Sequence, residues 1–210
     1  MIKDQMERIY RSMSPADIPW NMESPPALLE SLCVTGKISP CTAIELGCGL
    51  GNCAMYLARR GFAVTGVDIA CTAIEIAEKI ASNKGVPCRF ITADVLGSMD
   101  EIRETFDFAF DWELLHHIFP EERKRYIENV NRLVNPAGYY LSVSFSAMSD
   151  QFGGVGKYRR TPLGTMLYFS SEEEIDALVS SRFKIVELKT VDIEGKVALH
   201  KAVYALATKQ

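Results

Sequence analysis

The chain has 210 residues, 48% of them hydrophobic and 24% charged, with a net charge of -4 and an isoelectric point near 5.5. That size suits one domain with a sizeable core, and the mild acidity argues against a nucleic-acid partner, which needs a basic face. The opening MIKDQMERIY lacks the apolar stretch of a signal peptide, and no run approaches the roughly 18 apolar residues of a membrane helix, so a cytoplasmic protein without a membrane partner is expected.

In chain order, residues 1–12 read as a short polar helix. MSPADIPWNMESPP carries four prolines and is extended or turning. ALLESLCVTG reads as a helix stopped by Gly36, and TAIEL as a short buried strand. AIELGCGLGN then places Gly47, Gly49 and Gly51 before the helical NCAMYLARRG. FAVTGVD is a second strand, CTAIEIAEKIASNKG a helix, CRFITAD a third strand and FDFAFDWELL holds a fourth. EERKRYIENVNRLV is a helix with a solvated charged face, closed by a turn at NPAG before the strand YYLSVSF.

Strands and helices thus alternate from about residue 42 to 145, which predicts an α/β fold with a parallel, doubly wound sheet. The remainder breaks this rhythm. Residues 146–166 read as a long loop with four glycines, and SEEEIDALVSS as a helix capped by Ser170 or Ser171. FKIVELKTVDI and ALHKAVYALATK are separated only by EGKV, too short for a crossover, so they form an antiparallel hairpin. No repeat or linker divides the chain; a single domain over 1–210 is expected, with 1–39 as a cap and 40–210 as its core. The six cysteines form no CxxC pair and lie far from the histidines, so reduced, mostly buried thiols are expected and no metal site.

A strand, a glycine turn and a helix bring backbone N–H groups and an open main chain to one point. The spacing is GxGxG; a dinucleotide fingerprint, GxGxxG, needs glycine where Asn52 stands. Asp68 follows Gly47 by 21 positions, where a carboxylate accepts from ribose hydroxyls. Asp94 and Asp111 close the next two strands, so acids gather at one sheet edge, repelling phosphates and welcoming a cation.

IELGCGLGN, VTGVDIA, ITADVL, FDFAFDWELLHHI and NPAGYYLSVSF, in this order, resemble the class I S-adenosylmethionine-dependent methyltransferases over roughly residues 40–208. The resemblance implies a Rossmann-like sheet of seven strands, order 3-2-1-4-5-7-6, with strand 7 antiparallel. It implies that Glu45 and the loop Gly47, Cys48, Gly49 and Gly51 line the methionine end of S-adenosyl-L-methionine. It further places Asp68 on the ribose diol, Ile69 on adenine, Asp94 with Val95 at the adenine amino group, and Asp111 near the sulfonium. DIPW is similar to a segment of thiopurine and tellurite-resistance methyltransferases, which places Trp20 over the cofactor or, as a plainer role, at the core rim. NPAG departs from the paired glycines of many relatives, which touches only a turn.

The expected reaction is methyl transfer to a small-molecule thiol, metalloid, amine or hydroxyl by in-line displacement. His116 and His117 are the candidates for a base or a positioning group. Trp112, Phe152, Tyr158 and Arg159 are candidates for the acceptor side, the last three on a lid-like loop; His200 reads as structural or exposed. A nicotinamide-dependent oxidoreductase and a non-catalytic cofactor-binding subunit are the alternatives. Asp68, read as an exposed strand-end acid, is expected to matter for the cofactor and little for stability. Neither the acceptor nor the oligomeric state follows from the sequence.

Overall fold

The computed structural model describes residues 2–196 and 198–210. The elements run α1 (Ile2–Ser12), α2 (Ala27–Val34), β1 (Thr42–Leu46), α3 (Asn52–Ala58), β2 (Ala63–Asp68), α4 (Cys71–Asn83), β3 (Cys88–Thr92) and β4 (Phe106–Trp112). They continue with α5 (Pro120–Leu133), β5 (Val134–Phe145), β6 (Tyr158–Arg160), β7 (Met166–Tyr168), α6 (Glu172–Ser180), β8 (Lys184–Glu194) and β9 (Leu199–Thr208). Leu115–His117 and Gln151–Gly153 are single 3-10 turns.

One seven-stranded sheet has the order β3-β2-β1-β4-β5-β9-β8. β1 to β5 are parallel, and β9 runs antiparallel to both β5 and β8. Counted by main-sheet strands alone, this is the expected order with its antiparallel strand. The chain doubles back between β1 and β4, which opens the crevice at the carboxyl ends of those strands.

Strand alternation sorts the side chains into two layers. Ala43, Phe108, Phe110, Leu141, Val143 and Tyr204 pack beneath α2, α3 and α4. Ile44, Leu46, Ala109, Tyr140, Val203 and Ala205 pack beneath α5 and α6. The stacked pair Phe108–Phe110, with ring centroids 5.1 Å apart, is fully buried. Each such side chain contributes about 1.5–3 kcal/mol by leaving water. α6 starts with a reciprocal cap: Ser171 Oγ accepts from the Glu174 amide, and the Glu174 carboxylate accepts from the Ser171 amide.

Several details differ from the sequence reading. The NPAG segment lies inside β5; Ala137 turns at φ +62°, and its N–H donates to the Lys209 carbonyl, so the bend is absorbed in the ladder. The EERKRY face is not wholly solvated. Arg123 is buried and donates to the carbonyls of Leu115 and Ile118 and to Ser170 Oγ, and Tyr126 is fully buried. The 146–166 stretch is more than a loop, since β6 and β7 form a small hairpin within it and just beyond. The six cysteines are free thiols, yet only Cys48 is buried; Cys71 is exposed and the other four are half-buried.

Candidate active site

β1 carries Glu45 into the interior and ends at the glycine loop. Gly47, Gly49 and Gly51 take φ values of +72°, +51° and +75°, which disfavour any other residue. A β-carbon on Gly47 would stand 2.8 Å from Leu114, and one on Gly51 2.6 Å from the Phe90 ring. On Gly49 it would meet the Tyr10 hydroxyl at 3.0 Å. Asp68, at the end of β2, ties the loop down: one carboxylate oxygen accepts from the Gly49 amide and the other from Ala70, both at 2.9 Å. Asp68 is buried, not exposed, and among the described residues these two amides have no other partner. The expectation that it carries little stability does not hold.

Glu45 accepts from the Ala54 amide at 2.9 Å, in the first turn of α3. Burial pushes its carboxyl up to about 8, with the Asp68 charge adding to the rise. Burial also raises Asp68, and Glu7 acts on it in the same sense. The charges felt by these two acids are thus other carboxylates. Such a cradle disfavours a diphosphate and suits a ligand that presents a cation to it. Cys48 is buried in the loop, and Ile69 lies half-buried beside it.

The N-terminal residues cover this loop. Tyr10, Ile18, Leu50, Ala70 and Ala73 form one buried cluster, with Trp20 and Ile69 packed on it. Trp20 Nε1 donates to the Tyr10 hydroxyl at 3.0 Å, and the rings meet edge to face. Asn52 Nδ2 donates to Asn21 Oδ1 and to the Met22 carbonyl, so the residue that breaks the dinucleotide spacing fastens the cover. Tyr10 was not among the expected site residues. Its signal was present as the apolar stripe Met6, Ile9 and Tyr10 on an otherwise polar helix.

The other two strand-end acids have partners of their own. Asp94 is exposed and accepts from the Leu96 amide at 2.9 Å, with Val95 half-buried beside it. Asp111 belongs to the opposite layer, because alternation along β4 turns it away from Phe110 and Trp112. It accepts from Tyr126, Tyr140 and Ser142 at 2.9, 2.6 and 3.0 Å and is completely buried. Its carboxyl, pushed up to about 6 by burial, is committed to partners in the α5 layer. Trp112 is half-buried against the α3 layer.

Beyond β4 the chain turns at Glu113, with φ +61°, and enters the 3-10 turn. His116 is buried and stacks on Phe145 at 4.4 Å; its ring lies 4.7 Å from that of His117. Burial holds His116 well below the usual imidazole range and His117 down to about 4. His200 was expected to be structural or exposed. It is buried, edge-on to Phe145 at 4.6 Å, and its Nε2 meets Glu113 Oε1 at 2.7 Å. His116 and His200 therefore flank Phe145, with His117 beside His116, and among the described residues the Nδ1 of each lies buried with no partner.

The lid residues divide. Phe152 packs on Phe145 and Phe169, next to these histidines. Tyr158 is exposed and touches Phe119 and Tyr168, on the outer side. Arg159 is buried, its guanidinium 4.0 Å from the Phe169 ring centre. It donates to the carbonyls of Ala147, Ser149, Gln151 and Gly156. Its donors thus hold its own loop.

Residues 43–138 match the family described as a methyltransferase domain. A 2-heptyl-1-hydroxyquinolin-4(1H)-one methyltransferase of Mycobacteroides abscessus is 29% identical over 149 residues, 69% of this chain and 65% of its own. A probable thiol methyltransferase 2 of Arabidopsis thaliana is 27% identical over 156 residues, 70% of this chain and 68% of its own. A solved structure described as "Conversion of a Disulfide Bond into a Thioacetal Group during Echinomycin Biosynthesis" shares the fold, with a TM-score of 0.84 at 22% identity over 100% of this chain and 93% of that one. The chain spans 35% to 65% of the length of the first three curated relatives. In its glycine loop, its sheet order and this domain match the chain is similar to methyltransferases.

Proposed function

We propose that the protein methylates a small-molecule nucleophile with S-adenosylmethionine. The observation that carries this is the glycine loop Gly47–Gly51 between β1 and α3, tied by its Gly49 amide to the strand-end carboxylate of Asp68. When bound, the cofactor supplies a methyl group already activated on a cationic sulfur. The loop Gly47–Gly51, held in left-handed backbone conformations, receives it at the carboxyl ends of β1 and β2. Glu45 and the loop receive its methionine end, and Asp68 its ribose. Ile69, Val95 and Asp94 flank the adenine. Residues 1–39 act as a cap on the 40–210 core, with Tyr10 and Trp20 closing the loop against water.

The acceptor side is the aromatic corner of Phe145, Phe152 and the three histidines. The hydroxyquinolone and thiol named for two relatives support a small acceptor with an acidic O–H or S–H. Among the described residues no helix is long and apolar enough to cross a membrane. A cytoplasmic setting and the absence of a nucleic-acid partner are part of this reading.

Titration calorimetry with S-adenosylmethionine and with NAD is the first test. Binding of the former with no heat from NAD is expected, followed by methylation of members of a phenol and thiol panel. Binding of NAD alone would refute the reading.

A further inference from the structure

The two histidines that follow β4 draw attention first, yet among the described residues no carboxylate meets either of them. His200 differs. Its Nε2 faces Glu113 Oε1 at 2.7 Å, and a carboxylate can only accept, so Nε2 carries the hydrogen. The neutral ring then presents Nδ1 as a bare lone pair. Among the described residues that atom is buried and has no partner. Gly195 lets the hairpin tip pass close to the ring: a β-carbon there would stand 3.2 Å from Nδ1 and 3.0 Å from the Ala198 carbonyl.

The surroundings link this nitrogen to the cofactor loop. Glu113 is a non-glycine residue at φ +61°, fixed by its N–H donating to the Val143 carbonyl. Such a backbone state persists where the surroundings impose it, often at functional sites. The Glu113 charge is felt by Cys53, in the first turn of α3 and next to Glu45. From the other side, Lys196 at the β8–β9 tip donates to the carbonyls of Ala16 and Ile18. The cap, the hairpin tip, β4 and α3 thus meet around His200.

We propose that Glu113 and His200, rather than His116 or His117, form the base that deprotonates the methyl acceptor. The acceptor is a weakly acidic hydroxyl or thiol, phenolic or comparable, whose O–H or S–H donates to His200 Nδ1. Its O–H or S–H bond breaks, the electron pair stays on oxygen or sulfur, and the proton moves to Nδ1. Glu113 balances the imidazolium that results. An ordinary alcohol is too weak an acid for this pair. This inference rests on the methyltransferase reading above.

Two measurements test it. Nitrogen-15 NMR of the full chain labelled at histidine, saturated with S-adenosylhomocysteine, reports the tautomer of His200, assigned with His200→Gln. Hydrogen on Nε2 and none on Nδ1 is expected; hydrogen on Nδ1 would overturn the proposal. In turnover of the best phenol or thiol of the panel, His200→Gln should lower kcat about 100-fold near neutral pH. The affinity for S-adenosylmethionine should stay the same. The deficit should shrink as pH rises and the acceptor ionises unaided.

Glu113 and His116 face the imidazole, and Cys53 stands behind Glu113; Lys201 is paired with Asp192. None of these supplies a second base in that range. Glu113→Gln keeps the hydrogen bond and should cost about 10-fold, which covers the case in which His200→Gln does not fold. Unchanged kcat in both variants, or a loss equal at every pH, would overturn the proposal. Failure of the unaltered protein to bind S-adenosylmethionine would instead strike the methyltransferase reading and leave the tautomer result standing.

Discussion

Around β1 and β2, the buried carboxylates of Glu45 and Asp68 are met by the backbone amides of Ala54, Gly49 and Ala70. Around β4, β5 and β9, the rings of His116, His117 and His200 each keep one buried nitrogen that has no partner among the described residues. Both regions lie at the carboxyl edge of one sheet. An unpartnered buried polar atom costs about 1–3 kcal/mol, so a cluster of three asks for an explanation. The first region is organised by its own chain and suits a ligand common to a whole family. The second leaves hydrogen-bonding capacity open, which suits the partner that differs between relatives.

The sharpest way to break the first region is to fill its cradle. Gly51→Ala combines a left-handed φ with a β-carbon 2.6 Å from Phe90. About 3 kcal/mol of stability should be lost, from backbone strain and overpacking together. Gly36→Ala is the control, at φ +70° with open space around it, and should cost about 1 kcal/mol. Equal midpoints for the two variants in urea unfolding would show that the loop is looser than its geometry implies.

Asp68→Ala comes next. It strands the amides of Gly49 and Ala70 and should cost about 2 kcal/mol, besides abolishing S-adenosylmethionine binding. Asp94→Ala removes one exposed turn contact and should cost less than about 1 kcal/mol. Calorimetric affinity and thermal midpoints, measured on both, separate the two acids that the sequence presents as equivalent.

The two regions also titrate with opposite sign. Glu45 is held up at about 8 against an ordinary 4.5, so above pH 4.5 the folded chain keeps a proton that the unfolded chain gives up. Stability then falls as pH rises, until about pH 8. His117 is held down at about 4 against 6.5, so its contribution is complete above pH 6.5 and is lost as pH falls towards 4. Asp111, raised to about 6, has finished by then. Between pH 6.5 and 8 Glu45 therefore stands alone in this comparison, and about 2 kcal/mol should be lost across that window. Glu45→Gln should flatten the curve there in urea titrations. A slope that survives the substitution would remove Glu45 as its source.

How much the sequence discloses follows the reach of each contact. The glycine loop, its strand and Asp68 lie in one β-α-β stretch, so spacing alone locates them. The partners of Asp111 were missed because strand ends were read without their faces. Period-two alternation puts Asp111 opposite to Phe110 and Trp112, and puts Tyr140 and Ser142 on its side of β5. The Glu113–His200 pair spans 87 positions, and nothing local signals it. It exists only because β9 inserts antiparallel beside β5 and carries His200 to Phe145. Arg159 misled for a related reason: an arginine in a glycine-rich loop looks free until the loop folds around it.

The smallest expected effect concerns the one side chain that joins the two regions. Lys196 rises from the hairpin tip beside His200 and donates to the carbonyls of Ala16 and Ile18, in the segment that covers the glycine loop. Lys196→Met keeps the aliphatic stem and removes both donations. Because the site is partly exposed, less than about 1 kcal/mol of global stability should be lost. The local effect should be larger than the global one. Hydrogen exchange should quicken across residues 14–22, and S-adenosylmethionine should leave faster, while α5 and the β4–β5 ladder stay protected. Were exchange unchanged in that segment, the cap would be held by Tyr10, Trp20 and Asn52 alone, and the acceptor side would not communicate with the cofactor side through the hairpin.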